Sequence, residues 1–110
     1  VTPLLVALGA AVGAPLRFAV ASALDAERFP RGTLAVNVVG SFLLGLLVAA
    51  GASGHWAALL GTGFCGGFTT YSAFAVQTHR LGWRRGAAYA VLTIGLSLAA
   101  CALGVVVAQA

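Results

Sequence analysis

The chain has 110 residues, of which 61% are hydrophobic and only 7% charged, with a net charge of +4 and a mean hydropathy of +1.03. A chain this short buries only about two-thirds of its surface on folding, which excludes the soluble globular class. Disorder needs low hydrophobicity and high charge, so an integral membrane protein remains.

About 20 apolar residues cross a bilayer as a helix, and the charges leave room for four such stretches. The expected class is all-α, with four transmembrane helices in one domain covering residues 1–110. Span one runs over residues 3–24 and ends at Asp25-Ala26-Glu27-Arg28-Phe29-Pro30-Arg31. Val1 stands where an initiator Met is usual, which points to an alternative start or a trimmed terminus, and no cleavable signal peptide separates from this first apolar run. Gly9 and Gly13 form a GxxxG pair. In lipid, helices gain packing through the close backbone approach that small residues permit. Arg17 lies within the span, either snorkelling to an interface through its long stem or standing at a pore mouth.

Span two, residues 32–51, carries Asn37 and the small pair Ser41 and Gly45. Asn37 suits a helix-to-helix hydrogen bond and equally a pore role, because its NH₂ can donate to an anion. Span three, residues 56–79, contains Gly61-Thr62-Gly63-Phe64-Cys65-Gly66-Gly67-Phe68-Thr69-Thr70. Glycine costs about 1 kcal/mol per site relative to alanine in a helix, so a break at mid-membrane is expected, with a packing kink as the plainer reading. Broken backbone at that depth must be buried in protein or line a cavity, and its freed carbonyls and amides suit ions. Tyr71, Phe74 and Gln77 then recur on one helical face.

Span four, residues 83–108, carries Tyr89, Thr93 and Ser97 at i, i+4 and i+8. Each of the two smaller hydroxyls could satisfy its own helix carbonyls; the three aligned form a ladder through the membrane. Trp56 and Trp83 open their spans, where indole prefers the headgroup level.

Other functions fall to the same inventory. Six scattered Arg make no phosphate groove. Asp25 and Glu27, the only carboxylates, share one short loop, an unsuitable place for two-acid catalysis. Cys65 and Cys101 sit in apolar segments and read as small hydrophobes. No span carries Asp, Glu, Lys or His in its middle third, which removes the group a proton-coupled exporter needs. Hydroxyls, an amide, aromatic edges and backbone N–H groups fit a small hard anion better than a cation.

Three motifs then carry a family likeness: Gly9-(x)3-Gly13-Ala14-(x)2-Arg17-Phe18, Gly32-Thr33-Leu34-(x)2-Asn37-(x)2-Gly40-Ser41-Phe42, and Gly63-Phe64-Cys65-Gly66-Gly67-Phe68-Thr69-Thr70-Tyr71-Ser72-Ala73-Phe74. The chain resembles the Fluc/CrcB fluoride channels along essentially its whole length, and the third motif is highly specific. The resemblance implies passive export of fluoride across a bacterial plasma membrane, by a subunit that pairs antiparallel with a second to give two pathways. It implies a structural, non-transported Na⁺ held by the backbone carbonyls of Gly66 and Thr69. It assigns the fluoride pathway to Asn37, to the ring edges of Tyr71 and Phe74, and to Tyr89, Thr93 and Ser97, with Arg17 at the vestibule. An aromatic edge is the positive part of its quadrupole, so the physics agrees. Two positions depart from the family pattern: Tyr71 stands for the usual Phe, and Gln77 for a frequent acid. A small multidrug-type antiporter subunit would need a membrane carboxylate, and a purely structural subunit would leave the polar stripe idle.

Orientation follows from charge. Arg28, Arg31, Arg80, Arg84 and Arg85 lie on the side of loops one and three, Arg17 lies within a span, and the other side has none. Cytoplasmic loops carry the excess of Lys and Arg. The expectation is termini outside in a fixed orientation, and hence an antiparallel heterodimer with a homologous partner of opposite bias rather than a dual-topology homodimer.

Overall fold

Every element in the computed structural model, which describes residues 2–25, 30–51 and 53–110, is a helix. Glu27 and Arg28, used in the acid and charge arguments, lie outside the described residues. Helix α1 covers Thr2–Leu24 and α2 covers Arg31–Ala49. A short α3 (Gly54–Trp56) leads into a π-helix, Ala57–Cys65, which continues as α4 (Gly66–Phe68). After a gap come α5 (Ser72–Arg80) and α6 (Gly82–Gln109).

Three of these, α1, α2 and α6, are long and apolar enough to cross a membrane. At 1.5 Å per residue, the 19 residues of α2 span about 28 Å, close to a hydrocarbon core of about 30 Å. The 28-residue α6 is about 42 Å long and sets the 42 Å long axis of the molecule. The segment expected as the third span is divided into helical pieces on either side of residues 69–71. The shortest dimension is 19 Å, about two helix diameters.

The large apolar side chains mostly face outward. Phe18, Val91 and Trp83 are 71%, 74% and 86% exposed, an arrangement that only a lipid solvent rewards. The buried set is small and built around glycine. A side chain at Gly9 would strike the Leu59 carbonyl and come within 2.6 Å of the Phe64 nitrogen; one at Gly63 would meet the Val6 carbonyl at 2.8 Å. Gly67 sits against the Cα of Ala10, and Gly13 against Phe64 and Phe68. The two GxxxG pairs therefore face each other and seat α1 on the π-helix, the packing role expected of them. Gly45 does the same for α2 against Cys101 of α6.

Helix ends are handled by residues of special type. Gly51 and Gly82 take φ of +81° and +82°, a left-handed conformation that glycine adopts without strain, and they turn the chain out of α2 and into α6. At the start of α2, Pro30 offers no side-chain cap. Asp25 supplies one from eight residues upstream, accepting the Thr33 amide at Oδ1 (2.9 Å) and the Thr33 hydroxyl at Oδ2 (3.1 Å). A carboxylate at that position also complements the helix dipole.

Candidate functional site

The break falls at residues 69–71, at the threonine end of the Gly-Gly-Phe-Thr-Thr run. Gly66 remains helical (φ −63°, ψ −38°), whereas Thr69 is extended (φ −84°, ψ +161°). Asn37 of α2 holds the opened backbone. Its Oδ1 accepts the Thr70 amide at 2.8 Å and its Nδ2 donates to the Thr70 carbonyl at 3.0 Å. A continuous helix would send the Thr70 amide to the Gly66 carbonyl, so this pairing frees Gly66 of that donor.

Side chains trim both ends of the gap. The Thr69 hydroxyl donates to the Cys65 carbonyl at 2.8 Å, where the Thr69 amide also bonds at 2.9 Å. The Thr70 hydroxyl accepts the Ala73 amide at 3.2 Å and so caps the start of α5.

An open groove of about 590 Å³ runs beside the break. Seven of the residues singled out from sequence line it: Asn37, Gly66, Thr69, Tyr71, Phe74, Thr93 and Ser97. No charged side chain lines it among the described residues. Tyr71 and Phe74 lie with ring centroids 6.1 Å apart at 45°, and Tyr71 is 79% exposed. Across the groove stand Thr93 and Ser97, neither of which folds back onto a carbonyl of its own helix. The Thr93 hydroxyl lies against that of Tyr89, whereas the buried Ser97 hydroxyl has no partner among the described residues, a state uncommon in native structures.

The third rung of the ladder is placed differently. Tyr89 is fully buried and does not line the groove. Its ring packs 5.4 Å from that of Phe74, and its hydroxyl donates to Gln77 Oε1 at 3.2 Å. Arg17 lies apart as well, in a cavity of about 210 Å³ that also contains Asp25, Thr33, Ser72 and Gln77. Thr70 lines both spaces and stands as the wall between them.

Sequence reading left out Thr70, Asp25 and Thr33 as site residues. The position of Thr70 inside the third motif was a usable signal. Nothing local marks Asp25, whose partner Gln77 is 52 residues away.

A π-helical stretch is rare and tends to occur where function requires it. Joined to the break at residues 69–71 and to a groove with no charged side chain among the described residues, it marks a multi-pass helical membrane protein. The chain belongs to the CrcB family: residues 4–105 match the family described as CrcB-like protein, Camphor Resistance (CrcB). It is 49% identical over 108 residues to a Rhodococcus jostii protein named fluoride-specific ion channel FluC 2, covering 94% of this chain and 95% of that one. It is 49% identical over 99 residues to a FluC 2 of Haloarcula marismortui, covering 90% and 82%. A FluC 1 of Streptomyces avermitilis is 43% identical over 118 residues, covering 97% and 95%.

Proposed function

We infer that this chain is a subunit of a fluoride channel that lets the anion leave the cytoplasm passively. The observation that carries the reading is the groove: the hydroxyl-bearing Thr93 and Ser97 stand in the same wall set as the rings of Tyr71 and Phe74, and the buried Ser97 hydroxyl has no hydrogen-bond partner among the described residues. A small hard anion takes hydrogen bonds from hydroxyls and meets the electropositive edges of aromatic rings. The names of the relatives agree with this chemistry. Arg17, behind Thr70, gathers anions at the vestibule, and the spare N–H of Asn37 gives the anion a donor beside the break.

The segment 54–80 makes the fourth crossing, and the subunit pairs antiparallel with a second. The groove is open on one side, and Tyr71 is left exposed, which supports closure by a partner. Relatives carrying the paired names FluC 1 and FluC 2, together with the arginine bias, favour a homologous partner of opposite orientation, with the termini of this chain outside.

A structural Na⁺ fits the break. The Gly66 carbonyl loses the Thr70 donor to Asn37, Thr69 lies in the gap, and both line the groove. Hard cations favour such oxygen donors. Bound there, the ion would supply fixed positive charge at the subunit junction, held by the Gly66 and Thr69 carbonyls.

Fluoride efflux from proteoliposomes, with no imposed proton gradient, tests the reading with the chain alone and with a homologous partner. Efflux from either preparation is expected, and silence from both would overturn it. Replacing Na⁺ with a large organic cation should abolish the flux; unchanged flux removes the sodium site.

A further inference from the structure

Three of the six arginines, Arg80, Arg84 and Arg85, stand where α5 turns into α6. The corner that carries them is fixed by backbone. Only Leu81 separates the two helices, Gly82 takes a φ of +82°, and Gly86 of α6 lies against the Thr78 carbonyl of α5.

The three side chains are exposed, and none has a hydrogen bond or ion pair among the described residues. Asp25 is the one described side-chain carboxylate, and Thr33 and Gln77 occupy its oxygens. Its bond to Gln77 also brings the start of α2, with the exposed Arg31, to the same end of the molecule. Like charges gathered in this way repel one another, and a counter-anion relieves the repulsion.

Depth decides where that anion comes from. From Gly86 to the end of α6 at Gln109 the helix still runs about 36 Å, more than a hydrocarbon core of about 30 Å. The residues before Gly86 are not needed for the crossing, and charged side chains avoid the core. Trp83, the most exposed of the large apolar side chains, shares that first turn, and indole settles at the headgroup level. Guanidinium groups at this depth meet lipid phosphates, which they bind through two parallel N–H bonds.

We propose that Arg80, Arg84 and Arg85, with Trp83 beside them, form a docking site for the headgroup of an acidic phospholipid. A zwitterionic lipid brings its own ammonium to each phosphate and leaves the arginines' charge unanswered; an acidic lipid answers it. Each arginine near a membrane surface adds about fivefold in affinity, so three at one corner favour the acidic lipid well beyond its share of the bilayer. A lipid held there ties α5, which has no buried residue, to the headgroup layer. The site needs only the membrane setting, whichever ion the groove passes.

Trp56→Phe leaves Trp83 as the only tryptophan of the two in the chain, and its fluorescence reports the lipid beside it. The full chain carrying that change is placed in vesicles of phosphatidylcholine and phosphatidylglycerol in equal amounts, with brominated, quenching chains on one lipid or the other. Phosphatidylglycerol should be preferred beside Trp83 by about tenfold. Arg84→Gln/Arg85→Gln should bring the preference to within about twofold of none. Arg84→Lys/Arg85→Lys keeps the charge but loses the two-pronged geometry, and should hold an intermediate value. If the glutamine pair fails to insert, Arg80→Gln should lower the preference by about threefold instead.

Equal quenching by the two lipids overturns the proposal, as does a preference that survives the glutamine substitutions. A lysine pair indistinguishable from the arginines would reduce the effect to diffuse surface charge and overturn docking. Millimolar inorganic phosphate at matched ionic strength should leave the preference unchanged; its collapse would assign the corner to a free anion and overturn the lipid site.

Discussion

The two halves of the broken segment are held by opposite means. The first, residues 54–68, lies against α1 through glycines whose backbones touch, with Gly63 and Gly67 meeting Val6, Gly9 and Ala10. The second, α5, has no buried residue; it meets glycine backbone at one place, Gly86 of α6 against the Thr78 carbonyl, and is otherwise held by side-chain hydrogen bonds: Gln77 to Asp25 and Tyr89, and Thr70 at its start to Asn37. Contact of backbone with backbone fixes a position to a fraction of an ångström but carries no polarity. Hydrogen bonds fix polarity and can be rewired. The packed half therefore fixes the segment against α1, and the bonded half ties the break to α2 and α6.

Substitutions on the first half should break the fold before they change the ion. Gly9→Val is expected to have the largest effect, because the added atoms meet the backbone of Leu59 and Phe64. Overpacking alone costs about 1–3 kcal/mol, and backbone cannot yield as a side chain does. Loss of monodisperse protein on size exclusion in mild detergent would show it; a well-folded Gly9→Val would remove the distinction between the halves. Asn37→Leu, at the junction, leaves the Thr70 amide and carbonyl without partners at about 1–3 kcal/mol each. It should lower unfolding stability in detergent by about 3 kcal/mol and abolish fluoride flux.

Substitutions on the groove side should separate flux from stability. Ser97→Ala removes a buried hydroxyl that bonds to nothing among the described residues, so stability should change by less than about 0.5 kcal/mol. Flux should nevertheless fall about tenfold, the equivalent of about 1.4 kcal/mol of lost anion stabilisation. Equal losses in both would assign Ser97 to packing. The smallest effect belongs to Gly61→Ala, two residues from Gly63, where an added Cβ meets nothing within 4 Å. A gain of about 0.5–1 kcal/mol is expected, measured by thermal unfolding, and a loss would show that the π-helix itself needs glycine there.

The sequence was readable where a single element decides the outcome. Charges and turn glycines bounded α1, α2 and α6 to within a few residues, because lipid tolerates so few charged side chains. That Gly9 and Gly13 serve close packing followed from their spacing; that they meet residues 63–68 did not. The break was expected in the Gly-Gly-Phe-Thr-Thr run, and it falls after Phe68 rather than at the glycines, because Asn37, 33 residues away, pairs with Thr70. No local pattern carries that information. Tyr89 shares a helical face with Thr93 and Ser97, yet its hydroxyl also bonds to Gln77 of α5, a partner no helical spacing names. The π-helix left no trace either, since small apolar residues suit it and an α-helix alike.

For the pairing proposed above, a groove open along one flank also governs the life of the chain before assembly. A lone subunit would set the second N–H of Asn37 and the Gly66 carbonyl, whose residues line the groove, against lipid tails that cannot hydrogen-bond, at several kcal/mol for each unmet group. Such a molecule invites proteolysis, and an assembled pair that came apart would recreate it twice. Exchange of subunits between finished complexes should therefore be slow compared with their synthesis. In the heterodimer proposed above, the cell would then set the ratio of the two chains when it makes them, with little opportunity for correction afterwards.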